Sequence, residues 1–144
     1  MKTQKNKGFT LIELIVAIAI IATLSAVVLF SITYYLNKGK DASVQGNLAI
    51  LVTAGEVYYN SHGSYDGFCQ SSVVANAQSQ IPRRTGSMAC YPLGICCKAT
   101  ADTWAACARE FASTDPVKAF CVDSLGNKSE INISDCDDSR ISCQ

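Results

Sequence analysis

An apolar run from Leu14 to Leu36 limits what this chain can become more than any other feature does. It contains no Asp, Glu, Lys or Arg. At about 23 residues it is long enough to cross the hydrocarbon core of a bilayer as a helix. The run is apolar on nearly every face, so its helix must be surrounded by lipid or by other apolar helices. Ala17, Ala19, Ala22, Ser25 and Ala26 are interleaved with Ile, Val and Leu. Such small residues allow close helix packing in membranes, and they fit a plain membrane anchor equally well. Just upstream stands Glu13, the only carboxylate at that end. An ionised side chain at the edge of a span is costly and marks a function. The basic leader Met1 to Gly8 carries Lys2, Lys5 and Lys7, which place the N-terminus in the cytoplasm by the positive-inside rule.

That topology puts every cysteine outside. All eight, Cys69, Cys90, Cys96, Cys97, Cys107, Cys121, Cys136 and Cys143, lie beyond the apolar run, in a compartment where disulfides persist. An ordinary secretory signal does not fit the start of the chain, because the apolar region is too long and no A-x-A type cleavage site closes it. The cysteines read as structural disulfides. Zinc and thiol-redox sites both favour C-x-x-C spacing, which is absent, and His62 is the only histidine. No metal and no cofactor is expected. The connectivity is open, but a hairpin turning near Thr114 would set Cys107 opposite Cys121 for a cross-strand bridge. The adjacent Cys96 and Cys97 are expected to take different partners.

Past Leu36 the composition turns polar, while Val44, Leu48, Leu51, Val52 and Tyr58 or Tyr59 recur at helical spacing with Gly55 between them. That pattern predicts an amphipathic continuation over 37–65, with Lys38, Lys40, Asp41 and Gln45 facing water. Gly39, Gly46 and Gly55 each weaken such a helix by up to about 1 kcal/mol relative to Ala. Tyr59 to Tyr65 reads as the helix stop, with Gly63 at the C-cap and His62 as a solvated cap. Residues 66–89 read as a loop-rich connector. Strands are expected at Thr103–Phe111, Val117–Asp123 and Lys128–Ile133, turning at Ser113–Pro116 and Ser124–Asn127. Three or four antiparallel strands laid across an amphipathic helix make an α+β fold.

Formal net charge is zero, so bulk electrostatics do not point to nucleic acid. Arg83-Arg84 in the connector could touch DNA or an acidic partner, although two loop arginines are usually just solvated. A single histidine at a helix end supports no Ser/His/Asp or Cys/His site, and no glycine-rich phosphate loop is present. No enzyme is expected. Two sequons, Asn127-Lys128-Ser129 and Asn132-Ile133-Ser134, occur in the head, and Glu130 gives the second an acidic extension.

The segment Lys7-Gly8-Phe9-Thr10-Leu11-Ile12-Glu13 resembles the class III signal of type IV prepilins and pseudopilins: a basic leader ending in Gly, then Phe, then Glu at the fifth mature position. The resemblance covers the leader and first helix and thins past about residue 65. It implies cleavage by a prepilin peptidase between Gly8 and Phe9, and N-methylation of Phe9. It divides the chain into a removed leader (1–8), a transmembrane and filament-core helix (9–36), an amphipathic continuation (37–65) and a disulfide-rich head (66–144). Many pilins close a C-terminal disulfide loop, which here would join Cys136 to Cys143. The resemblance further implies a subunit held in the cell membrane with its N-terminus inside, then assembled by an inner-membrane platform into a homo-oligomeric extracellular filament. Glu13 would pair with the N-terminal amine of a neighbour. Adhesion, motility or DNA uptake, with a surface or DNA ligand, are the implied uses. A pseudopilin of a type II secretion or competence machine is the alternative within the family. A monomeric membrane-anchored extracellular binding domain is the alternative of another class, and cleavage and filament formation separate it from the pilin reading.

Overall fold

The apolar run and the amphipathic stretch after it both lie in one helix, α1 (Leu11–His62). The structure, a computed structural model, describes residues 8–81, 94–112 and 117–144, apart from the Phe30 side chain. Contacts divide the chain into two units, Met1–Leu36 and Asn37–Gln144. In the first unit nearly every described side chain is exposed. Three hydroxyls within the apolar run turn inward on their own helix: Thr23 donates to the Ile20 carbonyl (2.9 Å), Ser25 to Ile21 (2.7 Å) and Ser31 to Val27 (3.1 Å). Bonds of this kind satisfy the hydroxyls locally, so the surface of this length is apolar in effect as well as in composition.

In the second unit the same helix has a buried face. Val44, Leu48 and Leu51, spaced to fall on one side of a 3.6-residue turn, are fully buried. They pack with Trp104, Ala106, Ala108 and Val122 of the sheet. α1 stops where expected: Gly63 takes φ 71° and its N–H donates to the Tyr59 carbonyl (2.7 Å), an αL cap that favours a residue without Cβ. His62 is exposed, its ring stacked on Tyr58 with centroids 4.1 Å apart.

The described part of the connector, 66–81, holds more regular structure than its composition suggested. A 3₁₀ turn (Phe68–Gln70) leads into a short helix, α2 (Ser72–Gln80). Ser71 caps it by accepting from Val74 N, and Val74, Ala77 and Ile81 are buried on one side. Polar residues dilute that i, i+3, i+7 signal. Pro82-Arg83-Arg84 and Cys90 lie outside the described residues, as does the turn at Ser113–Pro116.

The sheet is a four-stranded antiparallel meander in chain order: β1 (Cys96–Ala99), β2 (Trp104–Arg109), β3 (Lys118–Asp123) and β4 (Lys128–Asn132). Three strands match the sequence expectation within their ends. β1 was not located beforehand, since Cys-Cys-Lys-Ala lacks the β-branched and aromatic residues that mark strands.

Both faces of the sheet are covered. One packs on α1. The other carries Cys96, Ala105, Cys107, Ala119 and Cys121 under Cys136 and Cys143 of the C-terminal segment. This layering overturns two expected bridges. Cys107 does stand opposite Cys121 in the register, yet Cys107 bonds Cys136 and Cys121 bonds Cys143. Opposed residues project from the same sheet face, and the C-terminal segment crosses that face with a cysteine above each. The tail is therefore clipped to the sheet and not to itself. Cys97, on the opposite face from Cys96 by strand alternation, bonds Cys69 and ties the 3₁₀ turn to β1. Cys96 is also disulfide-bonded, and the adjacent pair has different partners. The three described bridges close separations of 28, 29 and 22 residues, each contributing about 3 kcal/mol by loop-closure entropy.

Asp41 corrects another expectation. It is buried, not water-facing, and accepts from the backbone N–H groups of Phe111 and Ala112, latching α1 to the end of β2. Gln45 is half-buried, while Lys38 and Lys40 are exposed. Nearby Glu110 is buried at 5% exposure. Desolvation first, then the Glu130 and Asp41 carboxylates, push its pKa above the usual 4.5, against the opposing hydrogen bond of Gln45 and charge of Lys38. A carboxyl with a raised folded pKa binds its proton more tightly folded than unfolded. Its stability contribution is therefore lost as pH rises from about 4.5 through the folded value. Glu110→Gln should unfold at a higher temperature than the parent at pH 7, with the difference vanishing below about pH 4.5. Parallel thermal melts of the full chain in detergent at the two pH values check this, and an equal difference at both would refute it.

Candidate assembly site at the start of the first helix

Among the described residues the only charged side chain between Gly8 and Leu36 is Glu13, and the local sequence holds it in place. α1 begins at Leu11, which makes Thr10 the N-cap and Glu13 the third helical residue. Thr10 N donates to Glu13 Oε2 (2.9 Å), Thr10 Oγ1 donates to the same oxygen (2.7 Å), and Glu13 N approaches Thr10 Oγ1 at 3.4 Å. This is a reciprocal capping box, in which the cap hydroxyl and the third-position carboxylate each satisfy a free donor of the first turn. The helix N-terminus also favours negative charge there. The Thr-x-x-Glu spacing carried this signal in the sequence, and the role of Thr10 was not drawn from it.

Both contacts fall on Oε2. The other carboxylate oxygen has no partner among the described residues, and the side chain is exposed, so a cation from another molecule can reach it. Phe9 is 78% exposed and Gly8 has open space around it, with nothing within 4 Å of a built Cβ. Downstream, Leu11, Ile12, Leu14, Ile18 and Ile21 are all exposed. By length and composition α1 is long and apolar enough to cross a membrane. One charge, one cap and an uncovered apolar surface can do two things chemically. They can seat in lipid, and they can pack against identical helices with the carboxylate offered to a cation.

The other sequence candidates do not join this group. His62 sits at the far end of α1, and Arg83-Arg84 lie outside the described residues. The sulfurs of Cys96, Cys107 and Cys136 lie within 4.8 Å of one another. Metal binding requires thiolates, however, and all three are disulfide-bonded. Two structural carboxylates, Asp41 and Asp123, were not foreseen: both partners of Asp41 are backbone amides about 70 positions away, and Asp123 joins its own turn to the amide of Cys143, 20 positions on.

Comparison with known proteins bears on the N-terminal part. Residues 3–29 match the family described as Prokaryotic N-terminal methylation motif. The chain is 33% identical over 64 residues to the type IV major pilin protein PilA of Myxococcus xanthus (strain DK1622). That match takes in 44% of this chain and 29% of the pilin, so the chain spans less than a third of that relative. No solved structure matches the chain. The methylation motif and the relative make the N-terminal part of this chain similar to that of type IV pilins.

Proposed function

We propose that this chain is a structural subunit of a type IV pilus-like surface filament and not an enzyme. The observation that carries the reading is Glu13: an exposed carboxylate fixed at the first turn of a helix whose apolar side chains are exposed among the described residues. A prepilin peptidase removes residues 1–8, and Phe9 becomes the N-methylated terminus. The subunit waits in the membrane with its N-terminus inside and its head outside. An inner-membrane assembly platform then moves it into a homo-oligomeric filament of the kind used for adhesion, motility or DNA uptake. As the helix leaves lipid and packs among its copies, Glu13 meets the α-amine of a neighbour's Phe9. Once water is excluded, removing either partner strands the other charge, at a cost of about 3–5 kcal/mol. The pairing also selects one axial register.

The expected result for Glu13→Ala is normal membrane insertion and normal cleavage with filament yield close to zero. Intact mass and N-terminal sequencing report the processing, and electron microscopy of sheared cells reports the filaments. A chain that begins at Phe9 and still forms filaments in normal amount would overturn the pairing. A chain beginning at Met1 would overturn the pilin reading itself.

A further inference from the structure

The two Asn-x-Ser triplets flank β4, and the tertiary structure treats them differently. Asn127 is half-buried, and its Nδ2 donates to Asp123 Oδ2 at 3.0 Å. Asp123 is 1% exposed. Drawing the Asn127 amide away would withdraw a donor from a buried carboxylate, which is costly.

Asn132 has no such tie. It is exposed, closes β4 at the edge of the sheet, and has an extended backbone at φ −67°, ψ 147°. Its side chain makes no cap hydrogen bond to the 3₁₀ turn that follows, Ile133–Asp135. Glu130 and Asn132 lie two residues apart on one face of the strand, both exposed, and Ser134 beyond them is exposed too. Among the described residues the salt bridge of Glu130 is with Lys118 (2.7 Å), both side chains more than two-fifths exposed. Such a surface pair is weak, so a cation on another protein can replace Lys118. Acid, amide and hydroxyl are thus all exposed at alternate positions, and the last two form the Asn-x-Ser acceptor triplet of N-glycosylation.

We propose that Asn132 is an N-glycosylation site, with Glu130 as its acidic recognition determinant and Asn127 left bare. The donor is an oligosaccharide carried on a polyprenyl diphosphate. The Asn132 amide nitrogen attacks the anomeric carbon, and the C1–N bond forms as the C1–O bond to the diphosphate breaks. The polyprenyl diphosphate leaves with the electron pair, and one amide proton passes to solvent. The proposal rests on the topology given above, which places the head on the outer side.

The test is peptide and intact mass spectrometry of the protein from its own cells. An oligosaccharide increment is expected on the Asn132 peptide and none on Asn127. Asn132→Gln should remove the whole increment and Asn127→Gln should keep it. Glu130→Ala should lower occupancy roughly tenfold, as loss of a charge-assisted contact predicts. Lys118→Ala, which breaks the same ion pair but keeps the acid, should leave occupancy intact. Equal loss in both variants would overturn the recognition role of Glu130, and sugar on Asn127 would overturn the proposal. Bare Asn132 on chains beginning at Phe9 would overturn it alone. Bare Asn132 on chains still beginning at Met1 would overturn it together with the pilin reading.

Discussion

Replacing Asp123 by Ala should destabilise the head by on the order of 3 kcal/mol, more than the loss of any single surface contact. Asp123 closes β3 and is almost fully buried. Oδ1 accepts from Leu125 N (3.1 Å) and Asn127 N (3.0 Å). Oδ2 accepts from Asn127 Nδ2 (3.0 Å) and from Cys143 N (2.9 Å). One side chain therefore organises the β3–β4 turn, where Gly126 takes φ 80°, and anchors the C-terminal segment. The Leu125 and Asn127 amides lie in a turn that water can enter. The Cys143 amide belongs to a buried residue, and most of the cost falls there. Because Cys143 is also covalently held by Cys121, the tail cannot leave. The loss should appear as a lower melting temperature and faster hydrogen exchange at the Cys143 amide, with the disulfide intact. Asp123→Asn should recover less than half of the loss, since its amide group presents hydrogens to donors. Unchanged exchange at Cys143 in the Ala variant would refute the assignment.

Alanine at Gly55 should destabilise, although helix propensity alone favours it by about 1 kcal/mol. A Cβ there would stand 2.6 Å from Trp104 Nε1 and 2.9 Å from Cε2. Trp104 is fully buried, packed against Phe68 with ring centroids 4.8 Å apart. It has no room to retreat, and overpacking of this kind costs about 1–3 kcal/mol beyond the propensity gain. Gly39 and Gly46 have nothing within 4 Å of a built Cβ, so Ala at either should stabilise by up to about 1 kcal/mol. The informative result is the opposite sign. Thermal melts of the three variants in one detergent decide it, and stabilisation at all three positions would remove the close-approach role of Gly55. The Trp104 indole N–H has no hydrogen-bond partner among the described residues, which fits an indole placed by shape, not by polar contact.

These two sites also show where reading the chain in one dimension stops. Val44, Leu48 and Leu51 were legible as a buried helical face because periodicity along a helix maps directly onto direction in space. Gly63 was legible as a cap because a left-handed backbone favours glycine. Asp41 sat among Lys38, Lys40 and Gln45 in a polar stretch and looked solvated. Its burial depends on two backbone amides about 70 positions away. Gly55 could be read only as a weakness in the helix until Trp104 was found against it. α2 was missed because its buried side is only Val74 and Ala77, set in a run of Ser, Asn and Gln that reads as loop.

The candidate assembly site belongs to the legible part. Leader charge, the apolar run and Glu13 are local properties, and the capping box that fixes Glu13 uses a residue only three positions away. Sequence alone therefore determined where the long apolar helix runs, where the one carboxylate at its start sits and that the head would be α+β. Only the tertiary structure decided the cysteine partners, since Cys107 and Cys121 are neighbours in the sheet yet each bonds the segment lying across it. It also decided which Asn is occupied by a buried carboxylate and which stands free. The difference is one of range. Helix pattern, capping and hydropathy follow from neighbours in the chain, whereas disulfide choice and side-chain accessibility depend on which distant segments the folded sheet brings over each face.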